Sequence, residues 1–297
     1  MNPDFPLQLI HRGKVRDSYR IDKDKRLIIV SNRISAFNKN LSNEIPHKGA
    51  VLNLLSAFWF DKTRDIIPNH SIEVIDDYAS VVREAQPIRV EMVVRKYLTG
   101  WIAREYEKGQ RKFSDVILPG GMKKNQAFET PVLTPTTKDK DDKIITRAEI
   151  LRRNLTDRKT YEHMKETALN LFDEASRYLL ERGIILVDTK YEFGLWNGRL
   201  ILIDEIHTPD SSRFWDANDY RKSPESAEQI DKEFVRQWML ARRKNGQLPT
   251  TLPETIVRET SKRYLEIYKR ITGSDYSPEP GNAYERIAKK LKQKGWL

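Results

Sequence analysis

The sequence of 297 residues contains no cysteine. Disulfide bonds, thiolate metal ligands and thiol nucleophiles are therefore excluded, and the composition fits a reducing compartment. No apolar run approaches the length of a membrane span, and the first residues, MNPDFPLQLIHRGK, lack the apolar core of a signal peptide. We therefore expect a cytoplasmic protein that does not associate with membranes.

Two common phosphate-binding motifs are also missing. The chain has neither the GxxxxGK[ST] loop nor the GxGxxG dinucleotide turn, and it has no internal repeat. Basic residues outnumber acidic ones by 53 to 43, but they are scattered or paired with acids, as in DKDKR and KDKDDK. Without a basic stripe or a nucleic-acid-binding module, the net charge of +10 favours small anionic substrates over nucleic acid.

The pattern of apolar residues predicts helices and antiparallel strands in mixed order. Helical spacing occurs over residues 49–63, 160–183 and 253–273, and strand-like segments occur over residues 26–31 and 88–98. Asn197-Gly198, between IILVDTKYEFGLW and RLILIDEI, is a strong signal for a two-residue hairpin turn. The turn-rich segment 111–143 is typical of a long functional or mobile loop. Together these features predict an α+β fold with antiparallel sheets.

The predicted hairpin carries a cluster of charged residues. A two-residue turn places Lys190 opposite Glu205, and the alternation of side chains puts Lys190, Glu192 and Glu205 on one face with Asp204 on the other. Hard oxygen ligands of this type suit magnesium. An ordinary cross-strand salt bridge explains the geometry equally well.

A second candidate site lies near the N-terminus, in RGKVRD over residues 12–17. Glycine allows the backbone to approach a phosphate, and Lys14 and Arg16, two residues apart on a strand, can reach one anion. A plain β-turn explains the same pattern.

Six segments taken together resemble one enzyme family. They are RGKVRDSY, ISAFN…NEIPHKGAVLN, VEMVVRKYLTG, TPTTK, GIILVDTKYEFGL and DEIHTPDSSRFWD. In this order they resemble the phosphoribosylaminoimidazole-succinocarboxamide synthases, or SAICAR synthetases, over nearly the whole chain. The resemblance implies a two-lobed α+β fold of mostly antiparallel sheets, related to ATP-grasp and kinase-like nucleotide-binding folds. The implied divisions are an N-terminal lobe over 1–90, a central lobe over 91–245 and a helical tail over 246–297.

The resemblance also implies a reaction in de novo purine biosynthesis. With ATP and Mg²⁺, the carboxylate of carboxyaminoimidazole ribotide would become an acyl phosphate, from which the amine of L-aspartate would displace phosphate. Such an enzyme chiefly positions its substrates and neutralises crowded anions. The expected partners are these small molecules, with no nucleic acid, and a homo-oligomer is left open.

The matching motifs imply a role for individual residues. The nucleotide would contact the phosphate loop of Gly13, Lys14, Val15 and Arg16, the backbone of Glu91 and Met92 at adenine, and Lys190 and Glu192. Asp204 would bind the metal, with Glu205 as a weaker candidate. The ribotide would contact Arg95, Ser211, Ser212 and Arg213. Lys14, Asp204 and Arg213 are the residues expected to take part in catalysis.

The chain departs from the family pattern mainly on the acceptor side. Asn32 and Asn38 replace two aspartates, Trp101 replaces a serine expected near the ribotide phosphate, and the segment after Lys138 lacks a histidine. If the Trp101 side chain points into the core, the small side chain at Ala103 would leave the volume that the tryptophan needs. A related ligase with another acid or amine substrate is therefore one alternative. A second alternative is a non-catalytic nucleotide- or nucleic-acid-binding protein, against which the retained lysine and carboxylates argue.

Overall fold

The computed structural model describes residues 5–37, 39–139, 142–227 and 233–297. The strands in these ranges are β1 (Gln8–Arg12), β2 (Arg16–Arg20), β3 (Lys25–Val30), β4 (Arg33–Ala36), β5 (Lys39–Glu44), β6 (Ser71–Asp76), β7 (Ala79–Arg83), β8 (Gln86–Tyr97), β9 (Lys112–Phe113), β10 (Val116–Ile117), β11 (Ala127–Leu133), β12 (Thr136–Thr137), β13 (Ile184–Trp196), β14 (Arg199–Ile203) and β15 (Ser212–Asp216). The helices are α1 (Lys48–Lys62), α2 (Gly100–Glu107), α3 (Arg147–Arg152), α4 (Arg158–Leu180), α5 (Ala217–Lys222), α6 (Glu233–Ala241), α7 (Glu254–Thr272) and α8 (Ala283–Gln293).

The first sheet has five antiparallel strands in the order β1-β2-β3-β7-β6. The C-terminal helix α8 packs on it, with Ile287 and Leu291 in one buried cluster with Leu27, Ile29 and Val81. Because α8 buries its apolar side here, the end of the chain is part of the N-terminal half of the fold.

The second sheet is built around the two longest strands, β8 and β13. Its order is β11-β8-β13-β14, with β12 paired to β8 and β15 paired to β13. Met92 and Tyr191 lie in the main core with Met164 and Leu171 of α4, which therefore covers one face of this sheet. The mixed fold with antiparallel sheets agrees with the predicted α+β class.

The prediction of one long loop over 111–143 is wrong. The segment contains β9 to β12, and both β11 and β12 pair with β8. Three of these strands have only two residues, and the pairing of β11 has a register shift, so no alternating pattern marks them in the sequence.

The predicted helices and hairpin are confirmed. Helices α1, α4 and α7 cover the expected segments, and Trp196 pairs with Arg199 across the two-residue turn. However, β14 ends at Ile203 because Asp204 has a left-handed backbone with φ of 71°. This ends the alternation of side chains, so the prediction that Asp204 points away from Lys190 is wrong.

The predicted division at residues 90 and 245 stays a prediction. The strands of the first sheet lie between residues 8 and 83, and the second sheet begins with β8 at Gln86. Among the described residues, no helix combines the length and apolar character that a membrane span requires.

Candidate active site

One face of the second sheet presents a row of charged side chains. Asp188, Lys190 and Glu192 alternate along β13, and on β8 Arg95 is paired with Asp188 and Glu91 with Glu192. Since every second residue of a strand points to the same side, these groups share the face opposite α4. Four residues of strand span about 13 Å, so the row can contact a ligand of nucleotide size along its length.

Lys190 lies at the centre of three carboxylates. Its Nζ is 2.8 Å from Glu91 Oε1, 2.6 Å from Glu192 Oε1 and 3.7 Å from Asp204 Oδ2. Burial by itself lowers the pKa of Lys190, but the surrounding carboxylates raise it well above its ordinary value, so the amine stays charged. Burial and the charge of Asp204 raise the pKa of Glu192, although Lys138 also contacts this carboxylate.

Asp204 and Glu205 share the guanidinium of Arg16. Arg16 Nη1 is 2.7 Å from Asp204 Oδ1, and Nη2 is 3.3 Å from Glu205 Oε1. Burial would raise the pKa of Asp204, but Arg16 and Lys190 together lower it far below its ordinary value. Asp204 therefore stays ionised at the end of β14, and the Arg16 guanidinium is paired with both acidic residues.

The segment Gly13–Arg16 forms a tight loop. Gly13 N–H donates to Arg16 O at 2.7 Å, and a Cβ at position 13 would lie 2.9 Å from that oxygen, so only glycine fits. Arg33 fixes the loop from behind, because it donates to Lys14 O at 3.2 Å and to both carboxylate oxygens of Asp17 at 2.7 and 3.0 Å. The loop is thus held in place by its internal hydrogen bond from Gly13 to Arg16 and by Arg33 of β4.

The loop and the charged row enclose a cleft of about 480 Å³. Its polar wall contains Gly13, Lys14, Arg16, Glu91, Lys138, Lys190, Glu192, Asp204 and Glu205, and its apolar wall contains Val15, Ile28, Ala85, Pro87 and Ile203. The structure therefore brings the predicted phosphate loop, lysine and acidic residues to one cavity. An apolar wall beside a cationic and anionic wall suits a ligand with a flat ring and a charged tail.

The predicted adenine contact through the backbone of Glu91 and Met92 does not fit this geometry. Both residues lie in the middle of β8, which pairs with β12 at Thr136 and with β13 at Tyr191 and Glu192. Their backbone groups are used by neighbouring strands, and the Met92 side chain is fully buried in the core on the other face. Only the Glu91 carboxylate reaches the cleft.

The residues predicted for the ribotide form a second group at the far end of the row. Arg95 and Arg213 both contact Asp188 Oδ2, at 3.0 and 2.5 Å. Burial lowers the pKa of Arg95, and the nearby charge of Arg213 lowers it further. Arg213 Nε also lies 3.7 Å from Glu233 Oε2, so the two guanidinium groups are held side by side by two carboxylates. Paired guanidinium groups are suited to bind an anionic ligand.

The two predicted serines lie at the start of β15, beside this group. The Ser212 hydroxyl donates to Thr189 Oγ1 at 2.7 Å, and Ser211 Oγ accepts from the backbone N–H of Thr208 at 3.1 Å. Lys190 N–H also donates to Ser211 O at 3.2 Å, which links the serine turn to the central strand.

The departures from the family pattern have local explanations. Asn32 Oδ1 accepts from Gly49 N–H in the first turn of α1 at 3.0 Å, and an aspartate oxygen could accept the same bond. Asn38 lies outside the described residues, as do two residues of the segment after Lys138, 140 and 141.

Trp101 neither fills the core nor exchanges space with Ala103. It is 40% exposed on α2, with its ring centroid 5.9 Å from that of Phe113 in an edge-to-face arrangement, whereas Ala103 is buried. Two residues on a helix point about 200° apart. The expected compensation between these positions is therefore wrong.

The acidic residues fit a magnesium ion that arrives with phosphates better than a metal bound by protein alone. Asp204 Oδ2 is buried without a hydrogen-bond partner, and Glu205 is held by the Thr208 hydroxyl at 2.7 Å. No group of three or more metal-ligating side chains occurs among the described residues. Magnesium is commonly held by one or two carboxylates, with phosphate and water oxygens as its other ligands.

Several residues of the site were not predicted from the sequence. Asp188, Lys138 and Arg33 contact predicted site residues directly, and Asp210 also lines the cleft. Asp188 could have been found, because it starts the DTKYEFG motif two residues before Lys190 on the same strand face.

Comparison with known proteins identifies the family. The SAICAR synthetase family model matches residues 9–251. A phosphoribosylaminoimidazole-succinocarboxamide synthase of Azobacteroides pseudotrichonymphae genomovar. CFP2 is 41% identical over 297 residues, covering 97% of this chain and 92% of that relative. The solved structure of SAICAR-synthase from Saccharomyces cerevisiae complexed with SAICAR is 34% identical, with a TM-score of 0.84, and covers 93% of this chain and 98% of that chain. The solved structure of a Type-2 SAICAR synthetase in complex with ADP is 25% identical, with a TM-score of 0.70. The match covers 90% of this chain and 99% of that chain. The chain therefore belongs to the SAICAR synthetase family, the carbon–nitrogen ligases that use ATP and Mg²⁺ to join L-aspartate to carboxyaminoimidazole ribotide in purine biosynthesis.

Proposed function

We propose that ATP binds in the cleft with its adenine against the apolar wall and its phosphates under the Gly13–Arg16 loop. Ala85 and Pro87, on either side of Gln86 at the start of β8, line the cleft, and Val15, Ile28 and Ile203 complete the wall. Lys14 lines the same cavity and is suited to contact the phosphates. This places adenine about four residues before the position predicted from the sequence, at Ala85–Pro87 instead of Glu91–Met92.

Asp204 and Glu205 would hold magnesium together with the nucleotide phosphates. The buried Oδ2 of Asp204, which has no hydrogen-bond partner, supports this assignment. When bound, the ion would neutralise phosphate charge near the transferred group. Lys190 keeps the acidic cluster close to neutral and remains charged, so its amine can bind a phosphate oxygen next to the metal.

Arg95 and Arg213 would hold the ribotide at the far end of the row, with Ser211 and Ser212 beside it. Asp188 orients both guanidinium groups, whose planar donor geometry suits carboxylate and phosphate ligands. In this arrangement the ribotide carboxylate lies between the arginine pair and Lys190. Its oxygen attacks the γ-phosphorus, the bond to the β-phosphate oxygen breaks, and ADP leaves.

The aspartate amine then attacks the acyl carbon of the phosphorylated ribotide. A carbon–nitrogen bond forms, the bond to the phosphate oxygen breaks, and the amine gives up a proton as the amide is made. The protein contributes mainly alignment and charge stabilisation, because the acyl phosphate already has a good leaving group.

The observation that carries this assignment is the single row from Glu192 to Arg95 on one sheet face. The test follows ¹⁸O from the ribotide carboxylate during turnover with Mg-ATP and L-aspartate. One labelled oxygen should appear in the released phosphate, and ADP should form in proportion to SAICAR only when ribotide and aspartate are both present. Unlabelled phosphate would rule out the acyl phosphate.

The wider fold assignment is a proposal of the same kind. The cleft lies between residues of the first sheet, such as Arg16 and Ile28, and residues of the second, such as Glu91 and Lys190. We propose that these are the two lobes of an arrangement related to ATP-grasp and kinase-like nucleotide-binding folds, in a cytoplasmic enzyme.

A further inference from the structure

The turn between β14 and β15 joins the metal side of the site to the substrate side. Thr208 Oγ1 donates to Glu205 Oε2 at 2.7 Å, and the backbone N–H groups of Ser211 and Ser212 donate to Thr208 O at 3.2 and 2.9 Å. The serines are therefore fixed by the backbone of this turn, whereas Glu205 is joined to it through the Thr208 side chain. Asp210, in the middle of the turn, has its side chain directed away from these bonds.

Asp210 is bound by two buried side chains from distant elements. Lys48 Nζ, at the start of α1, is 2.9 Å from Asp210 Oδ2, and the Tyr264 hydroxyl, on α7, donates to Asp210 Oδ1 at 2.6 Å. The Lys48 side chain is 0% exposed and the Asp210 side chain 5% exposed. A buried ion pair contributes little net stability but holds its partners in one geometry, so these contacts fix the position of the turn.

Helix α7 is placed to carry this contact. It is also tied to the start of α1, because the Ser261 hydroxyl donates to Pro46 O at 2.8 Å. Tyr264 lies in α7, which begins at Glu254, beyond the residues 9–251 that the family model matches.

We propose that Tyr264 is a positioning residue for ligation, which acts through Asp210 on the turn that presents Ser211, Ser212 and Arg213 to the ribotide. This inference rests on the proposed ribotide site. The hydroxyl of Tyr264 does not touch the substrates. Its hydrogen bond selects the position of Asp210 in which Arg213 pairs with Asp188 at the end of the charged row and the serines lie next to Arg213 in the chain.

The test compares Tyr264→Phe with Tyr268→Phe, a matched loss of one hydroxyl from a partly buried tyrosine on the same helix. Binding of carboxyaminoimidazole ribotide and of Mg-ADP is measured by calorimetry, and steady-state kinetics give kcat and the KM values for ribotide and ATP. We expect Tyr264→Phe to weaken ribotide binding about tenfold, the effect of losing one hydrogen bond to a charged group, and to change Mg-ADP binding less than about threefold. Tyr268→Phe should leave both within about twofold of the unaltered chain.

Each other outcome contradicts the inference in a recognisable way. An equal loss of ribotide and nucleotide binding, with a lower Tm, would mean that Tyr264 only stabilises the fold. Unchanged ribotide binding in Tyr264→Phe would show that Asp210 keeps its position without the tyrosine. If the unaltered chain did not bind ribotide, the proposed ribotide site itself would be wrong. The proposed role of Tyr264 at that site would then also be wrong.

Discussion

Replacing Lys190 by methionine should separate the electrostatic role of this lysine from its packing. Methionine keeps most of the side-chain volume but removes an amine that lies 2.6 to 2.8 Å from two carboxylates and 3.7 Å from a third. In the proposed complex the same amine also contacts a nucleotide phosphate. Losing a charge-assisted hydrogen bond costs about 1.5–3 kcal/mol, so the Kd of Mg-ADP should rise by about 10- to 150-fold.

The loss should depend on pH, because the remaining carboxylates repel each other and the nucleotide. Burial and Asp204 already raise the pKa of Glu192, and removal of the lysine charge should raise it further. Near pH 6 a carboxylate in this cluster should therefore take up a proton when the nucleotide binds. Part of the lost affinity should be recovered there relative to pH 8.

Isothermal calorimetry with Mg-ADP at pH 6 and pH 8, in two buffers of different ionisation enthalpy, measures both the affinity and the proton uptake. Lys138→Met is the matched control, because Lys138 also contacts Glu192 but its side chain is 41% exposed. Exposed ion pairs contribute up to about 1 kcal/mol, so this variant should lose no more than about fivefold. Equal losses in the two variants, or a Lys190→Met protein that binds as tightly as the unaltered chain, would refute the reasoning.

Three further predictions concern the loop, the metal ligand and pH. Asp204→Asn should keep its Tm within about 4 °C of the unaltered chain, because asparagine also tolerates the left-handed backbone. Its rate of ADP release should nevertheless fall by more than about 100-fold. Near-normal turnover at low magnesium would contradict this prediction. Arg33→Met should weaken Mg-ADP binding about tenfold by releasing the phosphate loop, while Arg12→Met, whose guanidinium is 3.6 Å from Asp17 and largely solvated, should change it little. Burial lowers the pKa of His207 to about 3 and that of His70 to about 4, so the unfolded chain takes up protons first as the pH falls below about 6.5. The free energy of unfolding should then decrease from pH 6.5 towards pH 4 by up to about 1.4 kcal/mol per histidine per pH unit. Urea titrations at pH 7, 6 and 5 measure this change. The same free energy of unfolding at all three pH values would exclude the linkage.

Local sequence patterns predicted the elements on which much of the site is built. Helices α1, α4 and α7 are long and periodic, and the Asn197-Gly198 turn fixes the register of its own hairpin. The side chains of Lys190 and Glu192 share a strand face by alternation alone, which needs no knowledge of tertiary structure. These are short-range properties, and the sequence determines them directly.

The remaining features depend on long-range packing or on one backbone angle. The contact between Lys48 and Asp210 joins residues 162 positions apart, and the contact with Tyr264 crosses another 54 positions. The orientation of Asp204 follows from a positive φ that aspartate adopts only occasionally, so a regular strand was the better expectation. The sequence motif identifies the strand that contains Glu91 and Met92, but it does not state which residues of that strand reach the cleft, so the proposed adenine contact at Ala85–Pro87 could not be derived from it.

Gly100 has a consequence for how this enzyme can change by mutation. Its φ is 64°, and a Cβ there would lie 2.7 Å from Arg213 Nη2. Any side chain at this position would have to adopt an unfavourable backbone and displace the guanidinium proposed to hold the substrate. At the start of α2, substitutions of the exposed Trp101 are therefore compatible with the structure, whereas substitutions of Gly100 are not. The exposed tryptophan can therefore be replaced, while the position of the Arg213 guanidinium requires glycine at residue 100.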